Sequence, residues 1–323
     1  MGSLREAKKL ISVAATAGVQ AVKLQRRDNR ELYTERFYNS PYNAENSYGP
    51  TYGTHRDYLE FDEGGYFELQ DYADQLGVTF IATAFDLPSL EFLQKLDVPY
   101  FKIASGSIQN PLLLREAASL GKPVLASLGG ASDELVRRVA ETILKTNDNL
   151  VLLHCTASYP ARPEDLGLGR IEWLVDQYPE CVIGLSDHDD GISLVAAAYA
   201  YGARVFEKHI TLDHTNRGTD HAFSLEPGGL HAYVKNLHEA YVSRGKLNHP
   251  LEVERGPIYK MGYACYPATD LPKGAVIKLT DLVIKSPAEG LPGWAFDELI
   301  GKRTARDLAK EEVLEWSDFE GEH

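Results

Sequence analysis

Seven short apolar runs pace the first two thirds of the chain, at 21–25, 79–83, 100–104, 123–127, 150–154, 181–185 and 204–208. Continuous apolar runs of this length are typical of buried strands. Each is followed by turn residues and most by an amphipathic stretch, and a beat of about 20 to 30 residues is the length of a βα unit. One further strand ahead of the first helix would complete an eightfold barrel. An open doubly wound sheet would instead carry a glycine-rich phosphate turn after an early strand, and none is present. The expected fold class is therefore α/β, a (β/α)8 TIM barrel lacking its first strand in this chain.

The chain opens on a helix rather than a strand. Leu4, Ala7, Leu10, Ile11, Ala14 and Ala15 recur at helical spacing behind Ser3 as N-cap, which predicts a helix over 4–17 ending at Gly18. The strand that follows carries Lys23 and Gln25 towards its C-terminal end. A lysine in an apolar strand is costly unless it meets an anion at the barrel mouth. From 26 to 62 periodicity disappears, while Tyr33, Phe37, Tyr38, Tyr42, Tyr48, Tyr52 and Tyr58 alternate with Asn, Gly and Pro. A loop of this length is either a functional cover or a surface excursion, and its aromatic content argues that it packs.

The last quarter reads differently. The barrel is expected over 1–245, a linker over 246–260, where Asn248-His249-Pro250 and Arg255-Gly256-Pro257 break the pattern, and a small domain over 261–323. Within that domain Ala268-Thr269-Asp270-Leu271 through Asp281-Leu282 recurs as Ala305-Arg306-Asp307-Leu308 through Asp318-Phe319. Two copies of one strand-turn-strand unit suggest a pseudo-twofold domain, too few for a solenoid.

A net charge of −14 argues against a nucleic-acid partner, since binding a phosphate backbone needs a basic face that this sequence does not offer. No apolar run reaches membrane-spanning length and the first residues are no signal peptide, so a cytoplasmic protein is expected. Cys155, Cys181 and Cys265 have the spacing of neither a disulfide framework nor a zinc site.

The chemistry is signalled by two histidines. Gly184-Leu185-Ser186-Asp187-His188-Asp189-Asp190-Gly191 and Val205-Phe206-Glu207-Lys208-His209 each deliver a histidine at the C-terminal end of an apolar strand, where parallel α/β proteins place their active sites. One strand-end histidine is commonly structural. Two on consecutive βα units, among carboxylates and hydroxyls, point to metal ligands. Imidazole suits manganese better than magnesium, which favours an all-oxygen shell.

Several of these runs together resemble the sialic acid synthases, also called N-acetylneuraminate synthases: Lys102-Ile103-Ala104-Ser105-Gly106, His154-Cys155-Thr156-Ala157-Ser158-Tyr159-Pro160, the 184–191 stretch, and Glu207-Lys208-His209-Ile210-Thr211-Leu212-Asp213. The loop from Asn46 to Arg56 is similar to the branch that includes the animal enzymes, and the C-terminal repeat to the family's antifreeze-like (SAF) domain. The resemblance implies condensation of phosphoenolpyruvate with N-acetylmannosamine, its 6-phosphate or a related N-acetylated amino sugar. It also implies a divalent metal on His188 and His209, manganese first with magnesium or cobalt as alternatives, and a homodimer in which the small domain of one subunit caps the partner's barrel. Lys23, Lys102, Ser105, Ser127 and Ser186 match positions that hold phosphoenolpyruvate, and Gln25, Tyr159 and Asp220 positions that contact the sugar. Read without the family, Tyr159 is equally a core tyrosine and Asp220 a helix cap. Glu207 either serves the metal site or pairs with a barrel residue.

There are departures. Family members begin with a strand bearing a Glu and an Asn-His-x-Gly turn, and this chain starts past that turn, so it is expected to be truncated and to lack that carboxylate. Ala157 stands where the bacterial type has Asn, Ser107 where it has an acidic residue, and Lys285-Ser286-Pro287 where it has Lys-Arg-Pro. The other readings are a different metal-dependent barrel aldolase and a non-catalytic carbohydrate-binding protein.

Overall fold

A computed structural model describes residues 2–245 and 252–321. They form two compact units, Met1–Arg244 and Gly245–His323.

The first unit opens on helix α1, Leu4–Ala17. Ser3 Oγ accepts the Glu6 N–H at 3.4 Å, Gly18 closes the helix in the left-handed region at φ 83°, and Ile11, Ala14 and Ala17 face the core. Strand β1, Ala21–Arg26, leads into the aromatic excursion. It is not bare loop: α2 (Asn29–Leu32), α3 (Glu35–Tyr38) and α4 (Tyr52–Leu59) form within it, N-capped by Asp28, Thr34 and Thr51. Two of these helices are a single turn long, too short to show a period in the sequence.

The βα alternation then runs α5 (Glu63–Gln75), β2 (Thr79–Ala84), α6 (Leu87–Lys95), β3 (Phe101–Ile103), α7 (Pro111–Ser119), β4 (Val124–Ser127), α8 (Asp133–Leu144) and β5 (Leu150–Cys155). It continues with α9 (Gly169–Gln177), β6 (Val182–Asp187), α10 (Leu194–Ala200), β7 (Val205–Lys208) and α11 (Pro227–Ser243). The seven strands lie in sequential order, all parallel, and among the described residues β1 and β7 share no register. The outer layer does close, because α11 packs against α1. Side chains from β1, β3 and β7 meet on the inner face, so the sheet is curled as the barrel reading requires. Burial of Phe80, Phe101, Ile103, Leu113, Val139, Ile143 and Leu152 between strands and helices supplies the core that holds this curl.

In the second unit, part of the predicted linker, 246–251, lies outside the described residues; the rest folds as a 3-10 turn (Glu252–Glu254) and helix α12 (Arg255–Met261). Strands β8 (Ala264–Pro267) and β9 (Leu282–Lys285) pair antiparallel, and α13 (Phe296–Leu299) follows. The sequence repeat is expressed as matched hydrogen bonds. Asp270 Oδ1 accepts the Lys310 N–H at 2.8 Å while Asp307 Oδ1 accepts the Lys273 N–H at 2.7 Å, and Leu271 and Leu308 exchange both backbone bonds. Ala268 N–H to Asp281 O and Ala305 N–H to Asp318 O, each 2.8 Å, complete the pseudo-twofold. No helix among the described residues is long and apolar enough to cross a membrane.

Candidate active site

The C-terminal ends of the strands gather most of the expected site. Because successive side chains on a strand point to opposite faces, Glu207 faces inwards and its neighbour Lys208 outwards. Glu207 Oε1 lies 3.2 Å from Lys23 Nζ on β1, and Oε2 lies 3.4 Å from Lys102 Nζ on β3. Oε2 is buried and accepts no well-formed hydrogen bond. Glu207 thus pairs with two barrel lysines, and its charge also acts on the His209 imidazole. Burial opposes its ionisation, yet the ammonium groups of Lys102 and Lys23 override burial and hold the carboxyl far below the usual range. Burial pulls the Lys102 ammonium down, Glu207 opposing and Lys23 adding to the shift.

Lys102 Nζ also donates to Ser127 Oγ at 2.7 Å and to its neighbour's carbonyl, Ile103 O, at 3.1 Å. Ser105 Oγ accepts the Gly129 N–H at 2.9 Å. A Cβ on Gly129 would lie 2.7 Å from Ser105 Oγ and 3.0 Å from Cys155 Sγ, so this loop can approach the serine only as glycine. Ser186 is buried beside Cys155, whose Sγ is 3.7 Å from His188 Nδ1. In the sequence Cys155 stood out only as part of the 154–160 run and Gly129 not at all; only the fold brings them to the serines.

His188 and His209 are neighbours, their ring centroids 5.3 Å apart and nearly perpendicular. His188 Nδ1 lies 2.9 Å from the Thr156 carbonyl, an arrangement in which Nδ1 donates and Nε2 is left with its lone pair. Burial, with Lys23 adding, lowers the His209 imidazole to about 4, so its ring is neutral at physiological pH. Burial lowers the His188 imidazole, but its contacts with Cys155 and the Thr156 carbonyl outweigh burial and raise it, so the two rings differ in proton affinity. Neighbouring imidazoles whose ring nitrogens can be deprotonated are what a transition-metal ligand pair requires. Among the described residues no group of three or more His, Cys, Asp or Glu side chains forms a complete cage.

The sugar-side residues border the same pair. The Tyr159 ring lies 4.4 Å from that of His188 and is half exposed at the mouth, so it is no core tyrosine. Asp220 Oδ2 is 3.7 Å from His209 Nδ1 and makes no side-chain cap bond to the turn it precedes. Gln25 Oε1 accepts from the Arg27 guanidinium, and Arg27 in turn pairs with Glu60 at 3.3 Å.

Gln25, His209 and Asp220 line a cavity of about 310 Å³ whose far wall is the aromatic excursion: Tyr48, His55, Arg56 and Glu60, with Arg217 from the loop after β7. That volume is at the small end of the usual range for ligand pockets, roughly 300 to 1,000 Å³. The excursion is tied down over the mouth. Tyr48 OH donates to Arg217 O at 2.6 Å, the Arg217 guanidinium sits 4.6 Å above the Tyr48 ring, and it donates to Ser47 O. Arg56 donates to Tyr52 OH at 2.9 and 3.1 Å. Among the described residues Arg27 has a carboxylate partner, whereas Arg56 and Arg217 have none.

Behind the histidines, on the outer face, Lys208 lies 3.0 Å from Asp187 Oδ2 and also pairs with Asp189. Burial lifts the Asp187 carboxyl to about 6, with Lys208 opposing and Asp189 adding.

A curled parallel barrel with lysines, serines and paired imidazoles at its C-terminal mouth defines a small-molecule enzyme site on a (β/α) scaffold. Residues 10–249 match the NeuB family and residues 265–320 the SAF domain, and the chain belongs to the NeuB family. It is 33% identical over 315 residues to the N-acetylneuraminate-9-phosphate synthase of Homo sapiens, covering 97% of this chain and 88% of that one. It is 31% identical to the N,N'-diacetyllegionaminic acid synthase of Legionella pneumophila, covering 99% and 91%. Among solved structures, the N-acetylneuraminic acid (sialic acid) synthetase from Leptospira borgpetersenii, in complex with citrate, superposes with a TM-score of 0.70 at 31% identity over 80% of this chain and 86% of that one.

Proposed function

We propose that the protein is a nonulosonic acid synthase that condenses phosphoenolpyruvate with an N-acetylated amino sugar, releasing phosphate. The observation that carries this reading is the convergence of Lys23, Lys102 and Glu207 on the same barrel mouth as His188 and His209. Phosphoenolpyruvate carries a carboxylate and a phosphate, so its pocket must supply cations and oriented donors. Lys23, Lys102 and the Ser105, Ser127 and Ser186 hydroxyls supply them here.

In the reaction, C3 of the enol attacks the sugar aldehyde carbon, water adds at C2, and the C2–O bond to phosphate breaks. One phosphoenolpyruvate, one sugar and one water thus give one 3-deoxy-2-keto acid and one phosphate. Lys23 and Lys102 hold the anion and keep C3 directed at the sugar. Glu207 sets the spacing of the two ammonium groups, and its Oε2, without a donor of its own, orients the water that adds at C2. Tyr159, Gln25 and Asp220 hold the sugar against His188 and His209. When bound by those two imidazoles, a divalent ion, manganese ahead of magnesium or cobalt, supplies Lewis-acid polarisation of the aldehyde oxygen.

The sugar is read as phosphorylated. Arg56 and Arg217 line the cavity and, among the described residues, have no carboxylate partner, which suits an anionic group at the end of the sugar remote from the aldehyde. The relative from Homo sapiens is named for a 9-phosphate product, in keeping with that reading. The working enzyme is taken to be a cytoplasmic homodimer in which each small domain caps the partner's barrel.

Incubation with phosphoenolpyruvate, manganese and either N-acetylmannosamine or its 6-phosphate tests the proposal. Mass spectrometry should find an N-acetylated keto acid with a nine-carbon backbone formed one for one with inorganic phosphate, faster with the phosphorylated sugar. Condensation with pyruvate in place of phosphoenolpyruvate would make the protein an aldolase instead.

A further inference from the structure

Four polar side chains are buried together on the outer face of the sheet, directly behind the two histidines. Lys208 Nζ lies 3.0 Å from Asp187 Oδ2, pairs with Asp189 Oδ1 and donates to the Asp189 carbonyl at 2.6 Å. Tyr233 OH, from α11, donates to Asp187 Oδ2 at 3.1 Å. Asp187 Oδ1 accepts the Asp189 N–H at 3.1 Å, closing a turn with His188 at its centre. All three charged side chains are at least 96% buried.

Stability alone does not account for such a cluster. Taking an ammonium and two carboxylates out of water costs several kcal/mol per ion by general estimates, and apolar residues of the same size commonly do as well or better. The hydrogen bonds are instead directed at one place. Asp187 and Lys208 form the last register pair between β6 and β7. His188 follows the first and His209 the second. Lys208 grips the carboxylates on both sides of His188 and the main chain just beyond it, while its own backbone delivers His209. Tyr233 fixes the Asp187 carboxylate from the helix layer, so the whole assembly is referred to the barrel wall rather than to a loop.

We propose that Lys208, with Asp187, Asp189 and Tyr233, is the positioning residue that fixes the His188 ring relative to the His209 ring. This rests on the reading of the two histidines as a ligand pair. Their 5.3 Å separation is then a property of the buried cluster, set before any ligand arrives. Lys208 touches neither substrate nor metal in this account; it acts through the histidines.

The test uses the full chain with Co2+ alone as the probe, read by calorimetry and by the visible absorption of the bound ion. Tyr233→Phe removes one hydroxyl and leaves the ring, and should weaken Co2+ binding roughly 10-fold with a shifted visible band. Lys208→Met should weaken it by up to roughly 100-fold, and Lys208→Arg should recover most of that loss. A purely structural cluster would lower the melting temperature while leaving the affinity and spectrum of the folded variants as in the wild type, and that result would overturn the proposal. Should Lys208→Met not fold, Tyr233→Phe carries the test. Should the wild type itself take up no Co2+, the ligand-pair reading falls. The imidazole resonances of the metal-free protein at one fixed pH then decide: Tyr233→Phe must shift those of His188 and His209 while leaving His154 in place. Unshifted signals from both rings would sink the positioning role as well.

Discussion

Lys23 Nζ on the first strand of the sheet lies 3.2 Å from Glu207 Oε1 on the last. The two strands share no backbone register, so this ion pair joins the sheet's two ends at the level of the site. Lys102 approaches the other carboxylate oxygen, so the Glu207 carboxylate lies between two ammonium groups.

Glu207→Gln should therefore leave two cations facing each other with no compensation. Removing one partner of a buried ion pair costs roughly 3 to 5 kcal/mol, and the partial exposure of this one places it near the lower figure. Urea unfolding of the metal-free variant checks the value. A stability equal to wild type would mean that the lysines do not depend on Glu207.

Lys102→Met keeps the reach of the side chain and removes its charge. A charge-assisted contact is worth roughly 1.5 to 3 kcal/mol, so KM for phosphoenolpyruvate should rise about 10- to 150-fold, with a much smaller change for the sugar. Equal losses for both substrates would assign Lys102 to the scaffold.

Arg217→Met separates the two classes of sugar. Its guanidinium has no carboxylate partner among the described residues and borders the cavity, so the variant should lose roughly 10-fold or more in kcat/KM for the 6-phosphate and little for the free sugar. Parallel losses would remove the phosphate from this wall of the cavity.

The His209 imidazole gives a signed pH dependence. In the unfolded chain it takes up its proton near 6.5, whereas burial and Lys23 hold it to about 4 in the fold. Between those values the unfolded state binds a proton that the folded state refuses. Stability of the metal-free protein thus falls as pH drops from about 6.5 to about 4 and levels off below, for a total of at most about 3 kcal/mol from this group. His209→Gln should lack that component when melting curves are compared across the same range, and a profile superimposable on wild type would refute the assignment.

The barrel was legible because parallel strands buried on both faces write themselves as apolar runs, and His188, His209, Lys23 and Lys102 stood out as polar residues at the ends of such runs. What those residues touch was not legible. Glu207 and Lys208 are adjacent in the chain and opposite in space, one facing the lysines and the other Asp187 and Tyr233, and only the curl of the sheet decides which partners each meets. Arg217 lies in a loop without periodicity, and its place at the cavity depends on a contact with Tyr48 far away in sequence. The single-turn helices of the aromatic excursion form because capping and tertiary packing support them, and neither leaves a repeat to read.

The most direct measurement of the central claim follows the oxygen between C2 and phosphorus. Phosphoenolpyruvate labelled with 18O at that bridging position, incubated with the protein, manganese and N-acetylmannosamine 6-phosphate, should release phosphate that retains the label, and only when the sugar is present. Unlabelled phosphate, or phosphate released at the same rate without sugar, would mean that the P–O bond is cut instead and that this barrel is not a condensing synthase.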